Sequence, residues 1–165
     1  MNFFKGIIFL TSILVLSRII PHPPNFTPIL AGIIFLPFIK KDLTFALMVP
    51  LFSMIISDLV IGMHGLMLWT YGSLMVLSLI SFFFYQDNFK RVGTLALISP
   101  MIFFVLSNFG VWINSNSYSK DTEGLIACYF NAIPFYTSSA LACILFATIF
   151  YLIRISFSQK FIQEL

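Results

Sequence analysis

Apolar runs of helical length, separated by short polar breaks, predict six transmembrane helices. Their approximate ranges are 3–20, 26–39, 43–62, 66–85, 92–113 and 137–155. The second run has only 14 residues. At ~1.5 Å per residue its helix is roughly 21 Å long, which is less than the ~30 Å thickness of the hydrocarbon core. We therefore expect a thin, partly shielded span, with a re-entrant element as the alternative.

Prolines mark the polar breaks and the interiors of some spans. The first break, RIIPHPPNFTP from Arg18 to Pro28, holds four prolines. Because proline fixes φ and lacks a backbone donor, no helix continues through it. Pro50 and Pro100 predict kinks in the third and fifth spans. The amphipathic stretch GLIACYFNAIPFY, too short to span, predicts an extra short outer helix that ends at Pro134, before the last span.

The composition places the chain in a membrane. Hydrophobic residues make up 59% and charged residues 9%, and the mean hydropathy is +1.00. Soluble domains carry about 25% charged residues, so we expect an all-α integral membrane bundle formed by one domain, residues 1–165. The net charge of +3 is too small and scattered to indicate nucleic-acid binding. Cys128 and Cys143 lack metal or CxxC spacing, which indicates two small buried apolar residues.

Lysine and arginine are distributed unequally between the two sides that six spans would create. One side carries seven of them: Lys5, Lys40, Lys41, Lys90, Arg91, Arg154 and Lys160. The other side carries two, Arg18 and Lys120. The positive-inside rule then predicts that both termini are cytoplasmic and that the proline-rich break faces outward. This unequal distribution requires that the second run crosses the membrane.

Polar side chains collect at the depth of the outward side. The candidate ligand-binding residues are Arg18, His22, Asn25, Asp58, His64, Asn108, Trp112, Tyr129 and Asn131. A charge in the apolar region costs about 2.5 kcal/mol or more, so Arg18 and Asp58 each need a partner or a wet cavity. They either pair with each other, or Arg18 reaches the headgroups, or both line a binding site.

Other interpretations of these residues stay open. His22 and His64 are also typical loop and turn residues, and Trp112 is also a typical interfacial anchor. A metal held by His22, His64 and Asp58 has no support from local spacing, so we expect no metal and no cofactor. The sequence contains no Ser–His–Asp order, no HExxH and no phosphate loop. We expect no enzyme, although Asp58 and His64 of a lipid-modifying enzyme are a remote alternative.

Four sequence segments carry a resemblance to a known family. RIIPHPPNFTPILA, SDLVIGMHG, SNFGVW and GLIACYFNAIPFY occur in this order and resemble an uncharacterised bacterial membrane family of unknown function. That family is similar to the S components of energy-coupling factor (ECF) transporters. The resemblance implies six helices, an outward pocket for a vitamin or micronutrient, and docking on a transmembrane coupling subunit with ATPases. The A-x-x-x-A docking motif of their first helix is absent here.

The expected function is small-molecule binding and uptake in a bacterial inner membrane. Arg18 would meet an anionic group or stay paired with Asp58, while Trp112 and Tyr129 would stack on an apolar ligand body. The expected partners are the lipid bilayer, the small molecule and, by the resemblance, the coupling subunit and ATPases. A non-catalytic structural or accessory subunit of a larger membrane complex is the alternative.

Overall fold

The computed structural model describes residues 3–163 and the side chains of residues 3–156. In this range it contains six α-helices and no strand, which confirms the all-helical prediction. The helices are α1 (Phe3–Ile19), α2 (Ile29–Ile39), α3 (Leu43–Ile61), α4 (Met67–Phe83), α5 (Phe89–Asn114) and α6 (Thr122–Gln163). Among the described residues, α3, α5 and the part of α6 up to Ser156 are long and apolar enough to cross a membrane.

The short second helix lies at the centre of the bundle. α2 packs against α3, α4, α5 and α6, and eight of its 11 residues are buried. Ile33, Ile34 and Leu36 are at most 2% exposed. Eleven residues at ~1.5 Å each make a helix of roughly 17 Å, so α2 fills only part of the length of the bundle. The expected shielding of this run is confirmed, since other helices surround it.

One end of the bundle, called here the basic end, gathers most of the cationic side chains. The Lys40 ammonium lies 4.3 Å from the centre of the Phe3 ring. Arg154 of α6 pairs with Asp87 of the α4–α5 loop and lies 4.9 Å from the centre of the Phe38 ring. These contacts join the start of α1, the ends of α2 and α4, and the second half of α6. Consecutive helices therefore alternate in direction.

The basic end holds six of the seven cations that the sequence assigns to one side. They are Lys5, Lys40, Lys41, Lys90, Arg91 and Arg154. The side chain of Lys160, the seventh, lies outside the described residues. The opposite end, called here the polar end, holds the α1–α2, α3–α4 and α5–α6 loops.

The predicted separate amphipathic helix before the last span is wrong. α6 runs without a break from Thr122 to Gln163 and contains Pro134 in its interior. Its 42 residues give a length of roughly 63 Å at ~1.5 Å per residue. Contacts with α5 exist on both sides of the proline: Tyr129 donates to the Val105 carbonyl, and the Tyr136 ring lies 5.1 Å from Phe104. Packing against α5 keeps the helix continuous where local propensity favours an end.

Side-chain caps fix the starts of two helices at the basic end. The Asp42 carboxylate accepts a hydrogen bond of 2.9 Å from the Phe45 N–H at the start of α3. The Asn88 side chain accepts one of 2.8 Å from the Arg91 N–H at the start of α5. Both satisfy backbone donors that the first turn of a helix leaves free.

Candidate functional site

A polar cavity opens at the polar end, beyond the N-terminus of α2. Its volume is about 490 Å³. A smaller space of about 130 Å³ continues from it to Ile29 and Leu30 in the first turn of α2. Arg18, Asn25 and Phe103 line both spaces. The cavity exists because α2 is too short to fill the centre of the bundle along its whole length.

Side chains from four helices and three loops line the larger space. They are Arg18, Asn25, His64, Thr70, Phe103, Ser107, Asn108, Val111, Tyr118, Cys128, Asn131, Ala132 and Phe135. Five of the nine candidate residues are among them: Arg18, Asn25, His64, Asn108 and Asn131. His22 lines the smaller space. The structure therefore brings six of the nine together around one cavity.

Arg18 of α1 forms an ion pair with Asp58 of α3. The Arg18 Nη1 atom lies 2.7 Å from Asp58 Oδ1. The same nitrogen donates to the Ser57 hydroxyl at 2.5 Å and contacts the Met54 sulfur at 3.2 Å. Of the alternatives open for Arg18, pairing with Asp58 is what the structure shows. The pair joins α1 to α3 near the polar end.

Two further side chains approach the Asp58 carboxylate. The Tyr71 hydroxyl of α4 donates to Asp58 Oδ2 at 2.7 Å. His64 Nε2, in the α3–α4 loop, lies 3.7 Å from the same oxygen. The second ring nitrogen of His64, Nδ1, accepts from the Leu66 N–H at 3.3 Å. Both carboxylate oxygens therefore have close polar partners, which a buried charge needs.

The two charges of the pair differ in their access to the cavity. The Asp58 side chain is 1% exposed, whereas the Arg18 side chain is 18% exposed. Asp58 lines neither space, while Arg18 lines both. Asp58 therefore lies behind Arg18, and only Arg18 of the pair borders the two spaces.

The proline-rich loop, residues 20–28, contributes His22 and Asn25. The His22 ring nitrogens lie 2.8 Å and 3.2 Å from the carbonyl oxygens of Pro23 and Arg18. Asn25 has a φ of +61°, a left-handed conformation that asparagine adopts more readily than most residues. The backbone geometry of Asn25 places its side chain at the cavity, and the prolines around it limit the freedom of the loop.

Asn108 of α5 and Asn131 of α6 reach the larger space differently. Asn108 donates its side-chain amide to the Phe104 carbonyl one turn earlier, at 2.8 Å, which leaves its carbonyl oxygen for other partners. The Asn131 amide lies 3.5 Å from the Tyr118 hydroxyl across the cavity rim. Both side chains line the cavity.

Trp112 and Tyr129, which the sequence predicted to stack on a ligand, do not line either space. The Trp112 indole donates to the Ser119 carbonyl at 2.9 Å. The Tyr129 hydroxyl donates to the Val105 carbonyl at 2.7 Å. Their polar atoms hold the α5–α6 loop and the α5–α6 packing instead. The aromatic wall of the cavity comes from Phe103 and Phe135.

The α5–α6 loop that carries Tyr118 is held by its own polar contacts. The Lys120 ammonium donates to the carbonyl oxygens of Trp112 and Ser115. The Asp121 carboxylate accepts from the Gly124 N–H at 2.8 Å and from the Ser119 hydroxyl at 2.7 Å. These hydrogen bonds, that from Gly124 first, lower the pKa of Asp121. Its negative charge near the start of α6 suits the positive end of the helix dipole.

Several residues of the site were not predicted from the sequence. Tyr71 and Ser57 contact the ion pair, and Thr70, Ser107 and Tyr118 line the cavity. Serine, threonine and tyrosine are common in membrane helices, so their presence alone carried no signal. Tyr71 did have a signal in the sequence, namely its depth: it lies one turn into α4, at the same depth as Asp58 near the end of α3.

Within the described part of the chain, no three His, Cys, Asp or Glu side chains converge in a way that could hold a metal ion.

Comparison with known proteins identifies a family whose function is unknown. Residues 2–163 match the model of DUF6580, a family of unknown function. No curated protein and no solved structure matches the chain. The resemblance to an uncharacterised family is thus confirmed over nearly the whole chain.

Proposed function

We propose that this chain, which belongs to the DUF6580 family, is a membrane-embedded subunit that binds a small molecule for uptake. The single observation behind the proposal is the cavity of about 490 Å³ at the polar end. Ligand pockets typically measure about 300–1,000 Å³ and combine apolar walls with a few polar groups. Phe103 and Phe135 supply such walls, and Arg18 and the asparagines supply the polar groups.

The proposal includes the position of the chain in the bilayer. All six helices cross the membrane, with α2 shielded by its neighbours where it is too short to span alone. The basic end faces the cytoplasm, since Lys and Arg concentrate on the cytoplasmic side of membrane proteins. Both termini are then cytoplasmic, and the cavity opens away from the cytoplasm of a bacterial cell.

The resemblance to ECF S components agrees with this proposal. Six helices, a small size and a pocket at the outward end are features of those proteins. By that resemblance the chain would work with a transmembrane coupling subunit and ATPases, because it has no phosphate-binding loop of its own. The missing A-x-x-x-A motif of the first helix leaves the docking surface of this chain different from that of typical S components.

Native mass spectrometry of the purified protein, combined with a variant that fills the cavity, tests the proposal. We expect the wild type to retain a small molecule and Ser107→Phe to lose it. Ser107 lines the cavity and donates to the Phe103 carbonyl one turn earlier. Ser156→Phe is the matched control, because Ser156 makes the same bond to Leu152 in an exposed turn of α6.

Two results would count against the proposal. The first is the absence of any retained molecule together with no thermal shift across a panel of vitamins and other small metabolites. The second is equal retention by wild type, Ser107→Phe and Ser156→Phe. Either result, with a stoichiometric membrane partner that co-purifies, would favour the accessory-subunit alternative.

A further inference from the structure

The cavity presents one sign of charge to a ligand. Its lining includes the Arg18 guanidinium and the side-chain amides of Asn25, Asn108 and Asn131. None of the acidic residues that the structure describes lines either space, and Asp58, the partner of Arg18, is only 1% exposed. A cationic ligand would find no counter-charge there, whereas a ligand rich in acceptors would meet donors.

Arg18 keeps binding capacity although it is paired. Its close contacts with Asp58, Ser57 and Met54 are all made by Nη1. A guanidinium carries five N–H groups, of which three belong to Nε and the second terminal nitrogen. This geometry suits a planar carboxylate, which accepts two parallel hydrogen bonds from one arginine.

The start of α2 adds a second positive feature to the same space. Ile29 and Leu30, in its first turn, line the smaller space together with Arg18. Pro28, at the N-cap position, makes no side-chain capping bond. The first N–H groups of a helix lack partners inside the helix, and the helix dipole makes this end partly positive. An anion between Arg18 and this turn would satisfy both.

The contacts of Arg18 and Lys120 favour an anion with a single negative charge. Asp58 engages Nη1 of Arg18, which leaves Nε and the second terminal nitrogen for one further acceptor group, and the Lys120 ammonium is engaged by backbone carbonyls. A phosphate dianion would therefore lack a second cation. We propose that the ligand is a monocarboxylate with an apolar body, its carboxylate at Arg18 and its body against Phe103 and Phe135. This inference rests on the proposed binding function and specifies its ligand class.

Three probes of similar size and different charge test the ligand class: benzoate, benzamide and benzylamine. The full chain is placed in phosphatidylcholine nanodiscs, and dissociation constants are measured by saturation-transfer NMR. We expect benzoate to bind about tenfold more tightly than benzamide, because charge-assisted hydrogen bonds are roughly twice as strong as neutral ones. Benzylamine should bind more weakly than benzamide.

Variants test whether the preference for benzoate depends on the charge of Arg18 and not on a change in folding. Arg18→Gln/Asp58→Asn keeps a neutral hydrogen-bonding pair, so we expect it to fold and to lose the preference for benzoate. Lys90→Gln removes an exposed charge at the basic end and should leave the preference unchanged. Ser107→Phe should abolish the binding of every probe.

The failures of the two proposals are distinguishable. Equal binding of benzamide and benzoate, or tightest binding of benzylamine, with all binding lost in Ser107→Phe, overturns the carboxylate inference and leaves the binding function standing. Retention of the benzoate preference in the double variant also overturns the inference. Absence of binding by all three probes, or probe binding that Ser107→Phe does not reduce, overturns the carboxylate inference, whereas the binding function stands or falls with the native mass spectrometry described above.

Discussion

At the scale of single residues, the Arg18–Asp58 pair combines a structural task with access to the cavity. Asp58 Oδ1 contacts Arg18 at 2.7 Å and Oδ2 accepts from Tyr71 at 2.7 Å. Removing one member of a buried pair leaves an uncompensated charge, whereas removing both is far less costly. The pair was one of three alternatives from the sequence, since both charges lie at one depth. The sequence places Tyr71 at the same depth, but only the packing of α3 against α4 shows that its hydroxyl reaches Asp58.

Asp58→Asn should lower the free energy of unfolding by about 3–5 kcal/mol, because it leaves the Arg18 charge unpaired. Asp87→Asn is the matched control: Asp87 and Arg154 are 48% and 34% exposed, and exposed pairs contribute about 0–1 kcal/mol. Unfolding of both variants is measured in the same detergent. Arg18→Gln/Asp58→Asn should recover much of the loss. Similar small losses for Asp58→Asn and Asp87→Asn would contradict the structural role of Asp58.

At the scale of helices, close packing decides features that local sequence does not. α4 and α5 approach at Gly110, where an added Cβ would overlap the Trp69 side chain. The Trp69 ring also lies 5.6 Å from Phe109. In the same way, packing against α5 keeps α6 helical on both sides of Pro134. A proline ends a helix when only local propensity is considered, so the sequence predicted two elements where the structure has one.

Gly110→Ala should destabilise the protein by about 1–3 kcal/mol, as overpacking of a filled contact does. Gly93, in the same helix, has open space around its Cβ position. Gly93→Ala should therefore stabilise by about 0.5–1 kcal/mol, because alanine favours helix more than glycine does. Thermal unfolding of the two variants and the wild type gives the comparison. Equal shifts in the same direction would show that α4 and α5 do not meet at Gly110.

At the scale of the whole molecule, the two ends of the bundle differ in chemistry. The basic end was predictable, because cations near span ends mark one side whatever the packing. The collection of polar residues at the other end was also predictable, because their positions relative to the ends of the spans place them at one depth. The cavity lining was not, since Ser107 and Tyr118 face it only because α2 stops short and α5 and α6 remain.

Cysteine labelling in intact cells tests the proposed orientation. Ser117 and Gln86 are exposed residues of loops at the polar and basic ends. We expect Ser117→Cys to react with a membrane-impermeant maleimide in intact cells, and Gln86→Cys to react only after permeabilisation. Native Cys143 is buried, and Cys128→Ala removes the cysteine that lines the cavity. The reverse pattern would place the cavity on the cytoplasmic side.

The position of α2 gives the cavity a closed floor. The side chains of Ile33, Ile34 and Leu36 belong to the apolar core that fills the bundle below it. A solute that enters from the polar end therefore meets packed side chains beyond the first turn of α2. Under the proposed uptake function, inward release would require displacement of α2 or reorientation of the entire bundle, so the direction of uptake would be decided by the partner that supplies that movement.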